Sequence, residues 1–81
     1  MVATINKKEG YYLTLTERRM GLIASFTDER MASKLMSMGV LPGSRIELVR
    51  RSPFGGGWYA KVDNLLLALR QQEVDSIVLR S

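Results

Sequence analysis

Arg50 and Arg51 stand shortly before Phe54, Trp58 and Tyr59, with the glycine run Gly55-Gly56-Gly57 between them. Cations, aromatic rings and a pliant backbone at this spacing suit two chemistries. One is the cradling of phosphate by backbone amides; the other is binding of single-stranded nucleic acid, where each base stacked on a ring is worth roughly 1 to 3 kcal/mol. The phosphate-loop reading fails on its own requirements, because such a loop ends in Gly-Lys-Ser/Thr and opens a helix, whereas here the strand pattern WYAKV follows. The glycines then read as a hairpin loop where side chains would crowd. The nucleic-acid reading stays open with one restriction: Trp58 and Tyr59 are neighbours on one strand, point to opposite faces, and place at least one ring in the core.

Most other chemistry needs residues that this chain lacks. Its 81 residues include no cysteine and no histidine, which excludes disulfides, thiol catalysis, iron-sulfur ligation and the commonest nitrogen ligand and neutral-pH base. No Ser, Lys or carboxylate has an identifiable base partner, so no catalytic residues are assigned and the chain is not expected to be an enzyme. The acidic residues are scattered, with only Asp28 and Glu29 adjacent, and none follow the spacing of a calcium loop. No metal site and no cofactor are expected. A net charge of +4 favours an anionic partner, although Lys and Arg come in pairs rather than in one basic tract.

The elements that must position these residues follow from periodicity. The length is that of a single domain with a small core. Residues 1–11, polar and without period, read as a flexible N-terminal arm, and residues 12–81 as the domain. YYLTLTERR reads as a short strand or an extended lead-in, and MGLIASF as a buried strand. From Asp28 to Met38 the period changes: Met31, Leu35 and Met38 form one helical stripe, with Thr27 as N-cap and Gly39 as the stop. The stripe, with Met20 and Met36 nearby, suits an adaptable groove or plain core, and burial alone accounts for it. LPGS predicts a type II turn. In RIELVRR, Ile46 and Leu48 face the core, Arg45, Glu47, Val49 and Arg51 face away, and Arg50 lies at the edge of the core face. WYAKV and LLLAL flank Asp63-Asn64 as a tight hairpin, RQQEVDS is a polar connector with room for one helical turn, and IVL is the last strand. The sum is an all-β fold of about five strands with one inserted helix, a small closed barrel.

The order of these pieces carries a resemblance. L..MGVLPG at the helix end, I.L.RRSPFGG along strand and loop, and the closing LALR..E...I.L resemble the FeoA family, small cytosolic proteins of bacterial ferrous iron transport, over about Leu13 to Arg80. The resemblance implies an SH3-like β-barrel and an accessory or regulatory role beside FeoB, a membrane transporter with a cytosolic GTP-binding domain. It also implies a stand-alone form, since no DNA-reading helix-turn-helix precedes the domain. TLTERRMG stands where the family more usually has a Pro-Gly turn.

On that reading the partner-binding surface is expected at Met38, Gly39, Leu41 and Pro42 together with Arg50, Arg51 and the loop Pro53, Phe54, Gly55, Gly56 and Gly57, apolar turn residues anchoring and arginines forming the rim. Without a signal peptide or an apolar run near the about 20 residues of a spanning helix, a cytoplasmic location is expected, with the membrane reached only through the partner. The alternative is a nucleic-acid-binding small barrel using the same arginines and aromatics, distinguished by the strong salt dependence of phosphate contacts.

Overall fold

A computed structural model of the chain describes residues 13–53 and 55–80, the side chain of Leu13 aside; the expected arm, Tyr12 at the expected start of the domain, and Phe54 lie outside the described residues. The elements are β1 (Leu13–Thr14), α1 (Leu15–Arg18), β2 (Met20–Phe26), α2 (Glu29–Ser37), β3 (Arg45–Arg51), β4 (Gly57–Val62), β5 (Leu65–Arg70), α3 (Gln71–Asp75) and β6 (Ile77–Leu79). All strand pairs are antiparallel, in the order β1-β6-β2-β3-β4-β5. The five expected strands and the inserted helix are present, and the architecture is the expected SH3-like one. The YYLTLTERR lead-in supplies the two-residue β1 and the RQQEVDS connector forms its one helical turn as α3; to these the structure adds the single-turn helix α1. Among the described residues the ladder stays open between β1 and β5.

Local chemistry explains why α2 starts and stops where it does. Asp28, not Thr27, is the N-cap: its carboxylate accepts from the amides of Arg30 at 2.7 Å and Met31 at 3.3 Å. Thr27 falls one residue short because its own amide still extends the β2/β6 pairing, donating to the Ser76 carbonyl at 2.9 Å. At the other end Gly39 adopts φ +94°, its amide bonds the Met36 carbonyl and the Val40 amide bonds the Leu35 carbonyl, the paired bonds of a Schellman stop. Leu35 and Val40 are both fully buried, so the stop is also a core contact. The Leu41-Pro42-Gly43-Ser44 turn closes with Ser44 N–H on the Leu41 carbonyl at 2.9 Å and Gly43 at φ +92°, the type II form the sequence predicts.

The core is built from Leu15, Ile23, Phe26, Leu35, Ile46, Trp58, Leu69, Val74, Ile77 and their neighbours, with Met31 and Met38 of the helix stripe packed against it. Each large apolar side chain so buried contributes roughly 1.5 to 3 kcal/mol. Of the glycine run, only Gly57 is crowded. A Cβ there would lie 2.5 Å from the Leu69 carbonyl oxygen, whereas Gly55 and Gly56 face open space and are needed for their φ of +81° and +78°.

Glu73, buried at the start of α3, holds the connector in place. One carboxylate oxygen accepts the Arg70 amide at 2.8 Å and the other meets the Lys34 ammonium of α2 at 2.6 Å. Burial alone would raise its pKa; the Lys34 and Arg70 interactions outweigh it and hold the carboxyl below its ordinary value. A lowered folded-state pKa means that Glu73 stabilises the fold at neutral pH, and that this contribution is lost as pH falls below the ordinary Glu value of about 4.3.

Two outcomes are expected in thermal unfolding. Gly57→Ala lowers stability by about 1 to 3 kcal/mol because the β4/β5 ladder must open, whereas Gly56→Asn changes it by less than about 1 kcal/mol. Glu73→Gln loses about 1 to 3 kcal/mol at pH 7, and its deficit relative to the unsubstituted chain narrows below pH about 4.3; an unchanged deficit would remove the charge from the account.

Candidate interaction surface

β3 runs between the two halves of the expected surface and keeps them apart. Met38, Gly39, Leu41 and Pro42 lie before its first residue, while Arg50, Arg51, Pro53, Gly55 and Gly56 lie at its far end, about 20 Å of strand away at roughly 3.3 Å per residue. The two groups are therefore two separate patches on one fold.

At the first, the backbone is fixed and its apolar side chains project outward. Besides the Schellman stop and the type II turn, Gly43 N–H donates to the Ile23 carbonyl at 2.8 Å and Ile23 N–H to the Ser44 carbonyl at 2.9 Å, which clamps the turn onto β2. Leu41 is left 45% exposed, Pro42 and Gly39 are exposed, and Leu22, beside the clamp on β2, is 42% exposed. Met38, by contrast, is half-buried and packs on the core, so it supports the turn from below. Leu22 was not legible as a surface residue because it falls in MGLIASF, which reads as a buried strand; Met36, beside the helix stripe, is exposed as well.

At the second end a β-bulge reverses the expected facing of the arginines. The register passes from Leu48 opposite Ala60 to Arg50 opposite Tyr59 and Arg51 opposite Trp58, with Val49 the extra residue. Arg51 thus shares the core face with Trp58, its guanidinium carbon 5.0 Å from the ring centroid, and Arg50 shares the outer face with half-buried Tyr59 at 4.7 Å. A second guanidinium, that of Arg19, sits 5.1 Å from the Trp58 centroid. Arg19 holds φ +75° at the end of α1; a non-glycine there is strained by roughly 1 to 2 kcal/mol, offset by the ring contact and by its carbonyl accepting the Leu48 amide at 2.8 Å.

Trp58 is only 6% exposed, and its indole N–H donates to Gln71 Oε1 at 3.1 Å. Gln71 Nε2 in turn donates to Asp75 at 2.9 Å, and the Gln71 amide bonds the Gly56 carbonyl at 2.6 Å, which ties the loop to α3. Gly55, Gly56, Arg70, Gln71 and Gln72 surround an open hollow of about 320 Å³ here. Among the described residues no three Asp, Glu, His or Cys side chains come together. No helix among them is long and apolar enough to cross a membrane.

A family model described as FeoA domain matches residues 13–81. Among solved structures, a FeoA-like protein from Clostridium acetobutylicum superposes with TM-score 0.65 at 23% identity, over 74% of this chain and 71% of that one. The FeoA protein from Chlorobium tepidum gives 0.63 at 22% identity, over 76% and 61%. A manganese-dependent transcriptional repressor gives 0.70 at 23% identity over 86% of this chain, which spans 41% of the repressor. No curated protein sequence gives a significant match.

The bulge makes the two arginines unequal. Arg51→Met is expected to lower stability by about 1 kcal/mol and to shift Trp58 fluorescence, while Arg50→Met changes stability by less than about 0.5 kcal/mol and leaves the fluorescence unchanged. The reverse ranking would place Arg51 on the outer face.

Proposed function

The chain belongs to the FeoA family, and we propose that it is an accessory or regulatory protein of bacterial ferrous iron uptake, acting in the cytoplasm on the GTP-binding part of a FeoB-type transporter. Members of the family take part in iron uptake. The observation that carries the reading is the Leu41-Pro42 turn: an exposed apolar pair on a backbone immobilised from both sides, which loses little entropy when a partner covers it. The buried carboxylate Glu73 is fully engaged by Lys34 and Arg70 and acts as a fold element rather than as a catalytic acid.

The competing nucleic-acid reading needs free aromatic faces. Trp58 is buried beneath Arg19 and Arg51, and Tyr59 is faced by Arg50, so both rings are already occupied by the chain's own cations. That arrangement favours a protein partner.

Leu41→Asp is expected to weaken capture of the FeoB GTP-binding domain at least about tenfold and to abolish support of iron uptake in cells, with thermal stability changed by less than about 0.5 kcal/mol. Capture unaffected by the substitution, or recovery of RNA that washes away at moderate salt in place of FeoB, would overturn the proposal. A large loss of stability would return Leu41 to the core.

A further inference from the structure

Among the described residues β5 is a terminal strand of the open sheet, with no strand paired to its outer edge. The six pairs from Val62/Leu65 to Gly57/Arg70 run without a bulge, and its sequence, LLLALR, carries no proline and no charge before Arg70. Leu65 is 53% and Leu66 61% exposed, the highest values of any large apolar side chains described. Sheet edges left in this state are templates for another strand; proteins that avoid pairing place lysine, proline or a bulge there.

The direction of the backbone groups is readable from the strand's end. Gln71 N–H crosses to the Gly56 carbonyl at 2.6 Å, whereas Arg70 N–H points away from β4, to Glu73. Alternation back along the strand turns the polar groups of Leu69, Leu67 and Leu65 toward β4, and those of Ala68 and Leu66 outward. Among the described residues nothing takes the outward groups of Leu66 and Ala68.

We propose that two copies of this chain associate through antiparallel β5/β5 pairing about a two-fold axis at Leu67. In an antiparallel pair, opposite residues share a face and outward-pointing residues must meet one another. Centring on Leu67 satisfies both conditions: Leu66 meets Ala68 of the second copy in a hydrogen-bonded pair, large against small, Leu65 meets Leu69, and Leu67 meets itself. Every pair is apolar, and Arg70 falls opposite Asn64. The net positive charge does not oppose this register. The nearest facing cations, Arg70 of one β5 and Lys61 on β4 of the second copy, are two strand spacings and two residues apart, about 12 Å between Cα atoms, beyond the roughly 8 Å screening length of physiological salt. One strand edge covers far less than a standard interface, so the dimer is weak and concentration-dependent.

Sedimentation of the full chain from micromolar to millimolar concentration tests this. A monomer–dimer equilibrium is expected, weakened at least about tenfold by Leu66→Lys and by Ala68→Pro, whose lost amide is not used within the monomer. Leu67→Cys, the only cysteine in such a chain, is expected to give a covalent dimer on mild oxidation, because a non-hydrogen-bonded pair brings its Cα atoms to about 4.5 Å; Val49→Cys serves as the control and remains monomeric. A monomer throughout, growth beyond two copies, or association indifferent to the edge substitutions and to position 67 would overturn the proposal.

Discussion

A single carboxylate joins parts of this domain through polar contacts that the hydrophobic core alone does not supply. Glu73 is 3% exposed, yet it joins Lys34 of α2 to the Arg70 amide at the turn from β5 into α3. That turn fixes α3, and α3 presents Gln71 to the indole of Trp58 and Asp75 to Thr16 of α1. Two parts of the chain far apart in sequence, α2 and the β5/α3 junction, therefore meet through one acid. Such an acid is favourable only while both oxygens are engaged, since a buried, unpaired carboxylate would be destabilising by several kcal/mol. Both are.

From that knot the arginine geometry follows. Trp58 is held at its N–H by Gln71, which leaves its faces to cations, and the bulge at Val49 turns Arg51 onto the core side to supply one. Were Val49 paired in a regular ladder instead of bulged, strand alternation would send Arg51 outward and Arg50 inward, and Tyr59 would lose its cation. The strained Arg19 contributes from the other direction. An aromatic and cation cluster that resembles a ligand platform in sequence is here a closed structural unit.

What was legible in the sequence was local. The α2 stripe, the Gly39 stop, the Pro-Gly turn and the Asp63-Asn64 hairpin each depend on residues within a few positions, and each formed as the pattern predicts. Features set by pairing partners were not. Nothing near Val49 signals a bulge, because the register of β3 is decided against β4; nothing near Glu73 names Lys34; Arg19 occupies a left-handed position without the glycine that would announce it. The expected surface was drawn as one patch because its residues are close in sequence, but seven residues of extended strand place its halves at opposite ends. Phe54, the remaining candidate, lies outside the described residues.

The separation of the two ends does not by itself require two partners. A standard interface covers about 800 Å² on each side, a disc about 32 Å across, while the strand between the Leu41-Pro42 turn and the arginine end is about 20 Å long. One large partner can reach both. Their chemistry assigns them different parts in such a contact: a rigid apolar turn gives affinity when desolvated, whereas Arg50 and its neighbours, exposed and charged, affect approach rate and salt dependence more than residence. The β5 edge lies on neither end but along the side of the sheet, so occupation of that edge by a second copy leaves the Leu41-Pro42 turn open. The proposed partner binding and the proposed self-association are then compatible within one small domain, each assigned to a different kind of exposed apolar surface: a fixed turn for one and a strand edge for the other.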